Sequence, residues 1–255
     1  MERLLGIAQV TVLESVRRKD PYVVLILGFA IVLGAGLFNQ FGIEGLEKFV
    51  KDVALTVTNM LCIVICVVAA ARQLPVEISN RTLYPLLAKP VSRTTVFLGK
   101  YVGVGLMSSA VVILFWVVLQ ILFMAFGISS GAIFFQAMYL RILSMWLIAA
   151  VVVTLSLFLT HGANVTVSLL LSLAMSTFAN TILAVHGELQ GAARWIAEGL
   201  YWVVPHLELF DLSKKVIHDW PSIPMGALAA LTAYAVLYAV LFVALGAWRF
   251  RRTAL

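Results

Sequence analysis

The chain has 255 residues, 62% of them hydrophobic and only 12% charged, with a formal net charge of +6. A soluble domain carries about 45–50% apolar and about 25% charged residues, so one globule cannot bury this excess and lipid must cover part of the surface. That excludes an ordinary soluble enzyme, and the two cysteines, Cys62 and Cys66, both inside an apolar stretch, exclude a disulfide framework. No repeat, low-complexity tract or Ser/Gly linker divides the sequence, which reads as a single all-α transmembrane domain over 1–255.

Residues 2–19 come first. Leu5, Ala8, Val12, Leu13 and Val16 fall at spacings that share one helical face, with Arg3, Gln9, Arg17 and Arg18 among the polar positions. The pattern predicts an amphipathic helix lying in the interface plane, its arginines among anionic headgroups; the alternative is a disordered basic leader.

Six apolar stretches follow, at 21–38, 53–71, 96–126, 138–160, 165–185 and 223–248. A crossing of the ~30 Å hydrocarbon core takes ~20 apolar residues, so each is a predicted transmembrane helix. The second carries nine Leu, Ile or Val residues, each favouring insertion by roughly 0.3–0.6 kcal/mol, against only Thr56, Thr58 and Asn59. The third is longer than one crossing and should tilt or protrude at its Lys100 end. Arg141 stands one turn inside the fourth and is expected to snorkel to the interface. The first is expected to remain uncleaved, because patterned sequence precedes it and no small-x-small cleavage site follows.

The basic residues set the orientation. With the N-terminus in the cytoplasm, twelve of the eighteen Lys and Arg fall inside but only four of the twelve acidic residues, giving +8 inside and −2 outside. An even number of crossings then puts both termini on the cytoplasmic side.

The segment 72–95, RQLPVEISNRTLYPLLAKPVSRTT, carries Arg72, Glu77, Arg81, Lys89 and Arg93. Charges cost roughly 2.5–3.5 kcal/mol each at mid-bilayer, so this segment is expected in the cytoplasm. Pro75, Pro85 and Pro90 break it, and a short helix over 75–84 is predicted. Val76, Ile78, Leu83, Leu86 and Leu87 are apolar side chains on the wet side, interleaved with charge. They read either as a protein-docking surface or as leucines folded back onto the bilayer. At the other side, 186–222 is a long loop rich in aromatics and histidines, with an apolar piece at 193–204 too short to span, read as interfacial or re-entrant helices.

Ser168, Ser172, Ser176 and Asn180 recur every four residues on the fifth span, a small polar face suited to close helix packing, a dimer contact or a lining of the pathway. Gly99 and Gly103 make a single small-xxx-small pair. His161-Gly162-Ala163-Asn164 reads as a cytoplasmic turn. No metal site is expected: Cys62 and Cys66 share a face without a Met or His cluster, and His206 with Glu208 and Asp211 matches no standard spacing. The predicted spans contain no interior His, Asp or Glu, which argues against an intramembrane hydrolase and a proton-coupled carrier.

The strongest local pattern is Glu77 and Asn80-Arg81-Thr82-Leu83, then Leu86-Leu87-Ala88-Lys89-Pro90-Val91-Ser92-Arg93, then Leu98-Gly99-Lys100-Tyr101. With its position between the second and third spans, it resembles the coupling helix of ABC-2 family transporter permeases, whose fold is called type V or ABCG-like. The likeness runs along the whole chain, from an N-terminal elbow helix through six spans to the short outer helices before the last. It implies a permease subunit in the inner membrane of a prokaryote, with no nucleic acid among its partners and no cofactor bound by the chain itself. ATP and Mg²⁺ would belong to a separate ABC ATPase, two copies of which dock on Glu77, Ile78, Arg81, Thr82, Leu83, Leu86, Leu87 and Arg93. A second permease chain, making a homodimer within membrane lipid, would complete an export path. The sequence has no Gly-x-x-x-x-Gly-Lys-Ser/Thr loop of its own; its one Gly-Lys pair, Gly99-Lys100, continues into a span. A membrane scaffold that anchors a cytoplasmic complex without transport is the alternative from another class, and a membrane enzyme using His206 or Glu208 is a third.

Overall fold

The computed structural model describes residues 2–18, 20–38, 46–80, 92–185, 195 and 205–252, with side chains left aside at 2–3, 20–21, 23–24, 35–38, 46 and 174–185. Among these residues the chain is helical and has no strand. The helices are α1 (Glu2–Arg17), α2 (Asp20–Phe38), α3 (Leu46–Ala71), α4 (Pro75–Ser79), α5 (Arg93–Ala125), α6 (Ala132–Leu155), α7 (His161–Val185), α8 (Ser213–Ile217) and α9 (Met225–Arg252). A 3-10 turn, Leu207–Phe210, precedes α8.

Among the described residues, four helical segments are long and apolar enough to cross a membrane: Glu47–Ser79, which joins α3 to α4, then α5, α6 and α9. The other two predicted crossings coincide with α2 and α7, helices of 19 and 25 residues. Their described apolar stretches, Leu25–Gly34 and His161–Leu173, are shorter. Of its most apolar window α6 buries 67% within the chain and α9 only 11%, so α6 is the central rod and α9 a peripheral one. Ile26, Leu27 and Phe29 on α2, and Val236, Leu237 and Val240 on α9, stay exposed. Large apolar side chains gathered on outward faces suit an apolar surrounding such as lipid.

Helix limits differ from the hydropathy limits for physical reasons. Helix α3 starts at Leu46 rather than 53, because its first two turns carry Glu47, Lys48, Lys51 and Asp52, which are polar but helix-compatible. Helix α6 runs from Ala132 to Leu155 rather than over 138–160. Its early polar residue, Gln136, is satisfied by the Ile223 backbone, donating to the carbonyl at 3.0 Å and accepting from the amide at 2.7 Å. The short helix predicted over 75–84 ends at Ser79, with Asn80 as its C-cap. The residues 161–164, expected as a turn, form the first turn of α7. There Asn164 is buried and donates to the Val152 carbonyl at 3.1 Å and the Ala71 carbonyl at 3.5 Å, tying α7 to α6 and α3.

Small residues set where helices cross. A Cβ on Gly99 would meet the Ile7 side chain at 2.8 Å, and one on Gly103 would meet Thr11 at 2.6 Å and the Ala8 carbonyl at 2.9 Å. The small-xxx-small pair is therefore the seat of α1 on α5. Ala8, Thr11 and Ser15 are buried there, while Leu5, Leu13 and Val16 face outward. One helix thus has a small-residue protein face beside a larger apolar face. On the other flank of α5, Gly105 accommodates the Trp146 ring of α6. The indole N–H of Trp146 donates to Ser109 Oγ at 2.9 Å.

Candidate transport cavity and coupling face

At the end of the bundle where α3 passes into α4, Ser92 adopts an extended backbone and caps α5, its Oγ accepting from the Thr95 amide at 3.1 Å. This fixes the start of α5 two turns before Lys100. Lys100 is only 3% exposed, and its ammonium donates to Glu77 Oε1 at 2.5 Å. The pair bridges the short α4 to the long α5 across the intervening segment. Ile78, beside it, packs against the apolar core. Together with α1 seated on Gly99 and Gly103, these contacts join α1, α4 and α5 into one block.

The residues nominated for docking divide accordingly. Glu77 and Ile78 are turned into the chain, and Arg93 opens α5 half-buried. Arg81, Thr82, Leu83, Leu86 and Leu87 lie outside the described residues. Lys100 was not among the nominated side chains. The signal available was a lone Lys in an otherwise apolar helix, which needs a carboxylate partner when it cannot reach water.

The opposite end is tied differently. Lys51, 1% exposed, contacts both carboxylate oxygens of Asp219 at 2.9 and 3.0 Å and Glu47 at 2.9 Å. Asp219 holds φ 49°, a left-handed conformation that Asp tolerates better than most side chains. The segment between α8 and α9 is thereby pinned to the first turns of α3. His206 is held by Tyr234, whose hydroxyl accepts from the His206 amide at 3.0 Å and lies 3.2 Å from Nδ1. Apart from Trp195, which is exposed, the predicted interfacial piece 193–204 lies outside the described residues.

Between this tied end and the middle of the bundle lies a cavity of about 290 Å³, bounded by α3, α6, α7 and residues 207–217. From α3 it takes Asp52, Thr56, Asn59 and Ile63, a stripe at helical spacing; from α6 it takes Arg141, Ser144 and Ile148. Arg141 was expected to snorkel; in the structure it turns into this cavity. Because α6 begins at Ala132, Arg141 sits nine residues in, about 14 Å along the axis, and it turns inward with a side chain 10% exposed. Its nearest carboxylate oxygen, Asp211 Oδ1, is 3.6 Å away. Asp211 is itself held elsewhere. Its Oδ1 accepts from the Ser213 amide at 2.9 Å and the Ser213 hydroxyl at 2.6 Å, and its Oδ2 accepts from Asn59 Nδ2 at 3.3 Å.

Two side chains of the serine face of α7 are described. Ser168 is buried and donates to Asn164 Oδ1 at 3.1 Å, a packing role. Ser172, one turn on, lines the cavity. The side chains of Ser176 and Asn180 lie outside the described residues. Cys62 and Cys66 are buried free thiols, and among the described residues no three His, Cys, Asp or Glu side chains gather as a metal site.

No curated protein matches the chain. Residues 16–183 match the family described as ABC-2 family transporter protein. The matched stretch runs from the end of α1 almost to the end of α7. It contains the α3–α4 passage, the Glu77–Lys100 pair and the α3, α6 and α7 walls of the cavity. Matched over well more than half its length, and built of apolar helices long enough to cross a membrane, the chain belongs to the ABC-2 transporter family.

Proposed function

We propose that this chain is the permease subunit of an ATP-binding cassette exporter in the inner membrane of a prokaryote. It crosses six times with both ends in the cytoplasm, α1 serving as the elbow helix. Two copies enclose the path, and a separate ATPase pair docks on residues 72–95. The observation that carries the reading is the block of α1, α4 and α5 clasped by the Glu77–Lys100 pair, in a chain of the transporter family without a phosphate loop of its own. A short helix held by a buried ion pair moves as a unit with the long helix behind it. ATP-driven closure of the ATPases against 72–95 would therefore tilt α5 and, through Gly105 and Trp146, α6. Lys100, of the one Gly-Lys pair in the sequence, is held in this clasp.

A Walker-type ATPase encoded beside this gene should co-purify with the chain. Arg81→Ala should leave the purified permease folded while removing the ATP hydrolysis that the permease stimulates. Transport by the purified chain alone in vesicles, without any ATPase, would overturn the reading.

A further inference from the structure

Arg141 presents an unusual balance. A guanidinium has five N–H donors, and burying it without hydrogen bonds is costly. Here the side chain is nine-tenths buried and pairs with Asp211 across 3.6 Å, too long for a hydrogen bond, while it lines the cavity. Ser213 and Asn59 hold the two Asp211 oxygens in place at that distance. Two polar atoms in the residues lining the same cavity lack a partner: the Ser144 hydroxyl, one turn from Arg141, and Asn59 Oδ1. The rest of the wall carries the charged groups Asp52, Glu208 and Lys214 beside Asp211, and apolar ones such as Met60, Ile63 and Ile148.

We propose that this cavity is a binding site for an oxyanion, a phosphate ester or carboxylate head group, seated on Arg141. The planar fork of Arg suits two oxygens of one such head, which Lys could meet only as a point charge. Ser144 supplies a further donor beside it. Asn59 Oδ1 calls for a donor in return, which a singly protonated phosphate ester or a hydroxyl next to the carboxylate carries. Asp211, on the side held by Ser213, orients the guanidinium without occupying its donors. The apolar wall extends the site to an amphiphile whose tail leaves toward the bilayer. As a site for cargo this rests on the permease reading; as a binding site it does not.

The test uses the purified full chain in dodecyl maltoside, a neutral detergent without phosphate. Binding of dodecyl phosphate, inorganic phosphate and uncharged dodecanol is measured at equilibrium on the wild type and on Arg141→Lys, Arg141→Gln and Ser144→Ala, with melting temperature recorded for each. Dodecyl phosphate should bind once per chain. Arg141→Gln should weaken it by about ten- to a hundredfold, the range for a charge-assisted contact, with Arg141→Lys intermediate. Inorganic phosphate binding with the same dependence on Arg141 assigns the site to soluble oxyanions; dodecyl phosphate alone assigns it to amphiphiles. Either supports the proposal. It is overturned if neither binds, if dodecanol binds as tightly as dodecyl phosphate, or if folded Arg141→Gln binds as the wild type does. Should Arg141→Gln fail to fold, the comparison of Arg141→Lys and Ser144→Ala with wild type decides in the same way. The measurement contains no ATPase, so its failure leaves the permease reading standing, and loss of the ATPase partner leaves the binding result standing.

Discussion

Lys100 and Glu77 are unequal partners: the lysine side chain is 4% exposed and the glutamate 26%. Removing the carboxylate strands a charge that water barely reaches, whereas removing the ammonium leaves a carboxylate that water can partly solvate. Breaking a buried pair from one side typically costs about 3–5 kcal/mol, while replacing both by apolar residues is often near neutral. Glu77→Gln should therefore lower thermal stability more than Lys100→Met, and the double replacement Glu77→Leu/Lys100→Met should recover most of the loss. Stimulated ATP hydrolysis should stay low in the double variant, because an apolar contact does not restore the directional clasp between α4 and α5. A double-mutant cycle read by melting temperature, with ATPase stimulation alongside, separates the two effects.

At the scale of the element, α1 depends on side chains that are missing from its partner. Gly103→Ala places a methyl against Thr11 and the Ala8 carbonyl, and the carbonyl is backbone that cannot swing aside. Overpacking of this kind costs about 1–3 kcal/mol, and here it should act by lifting α1 from α5. Gly6→Ala lies on α1 itself, with nothing within 4 Å of the new Cβ. It should be neutral or stabilise by up to about 1 kcal/mol through helix propensity. Opposite shifts in melting temperature for the two glycines would establish α1 as a docked element. Equal shifts would mean that it floats free of α5. The same logic explains α9, where Gly246 lets Phe97 and Thr154 approach and the Thr154 hydroxyl donates to the Phe242 carbonyl at 2.9 Å. That contact anchors a helix whose other faces are open.

For the whole molecule, the asymmetry of basic residues makes a prediction about sidedness. In a variant lacking Cys62 and Cys66, a cysteine at Arg81 should be modified by a membrane-impermeant reagent only from the cytoplasmic side, and one at Trp220 only from the external side. Labelling of the Arg81 position from outside would place the segment proposed for docking beyond the reach of any ATPase. The internal ties mark the two ends of the bundle. Asn164 and the Glu77–Lys100 pair knit one end of the bundle, and Lys51 with Asp219 knits the other. The cavity with Arg141 lies nearer the second end.

Hydropathy and charge by themselves determined that the chain is helical and lipid-embedded, and they indicated where its long apolar rods run. Transfer free energy depends on composition along some twenty residues and needs no knowledge of neighbours. The same is true of the polar, proline-broken passage after α3. The tertiary structure alone decided what individual polar side chains do. Arg141 reads in the sequence as a snorkelling charge, because the true start of α6 is hidden in an uncharged stretch that hydropathy does not weigh. Only packing shows it facing α3. Asn164 reads as a turn residue because Asn favours turns, and three helices must meet before its amide becomes a clasp. Gly99 and Gly103 are common residues until a particular helix lies across them. Pairing, close approach and cavities are properties of residues far apart in the chain, such as Glu77 with Lys100 and Lys51 with Asp219, and a linear pattern carries no distance between them.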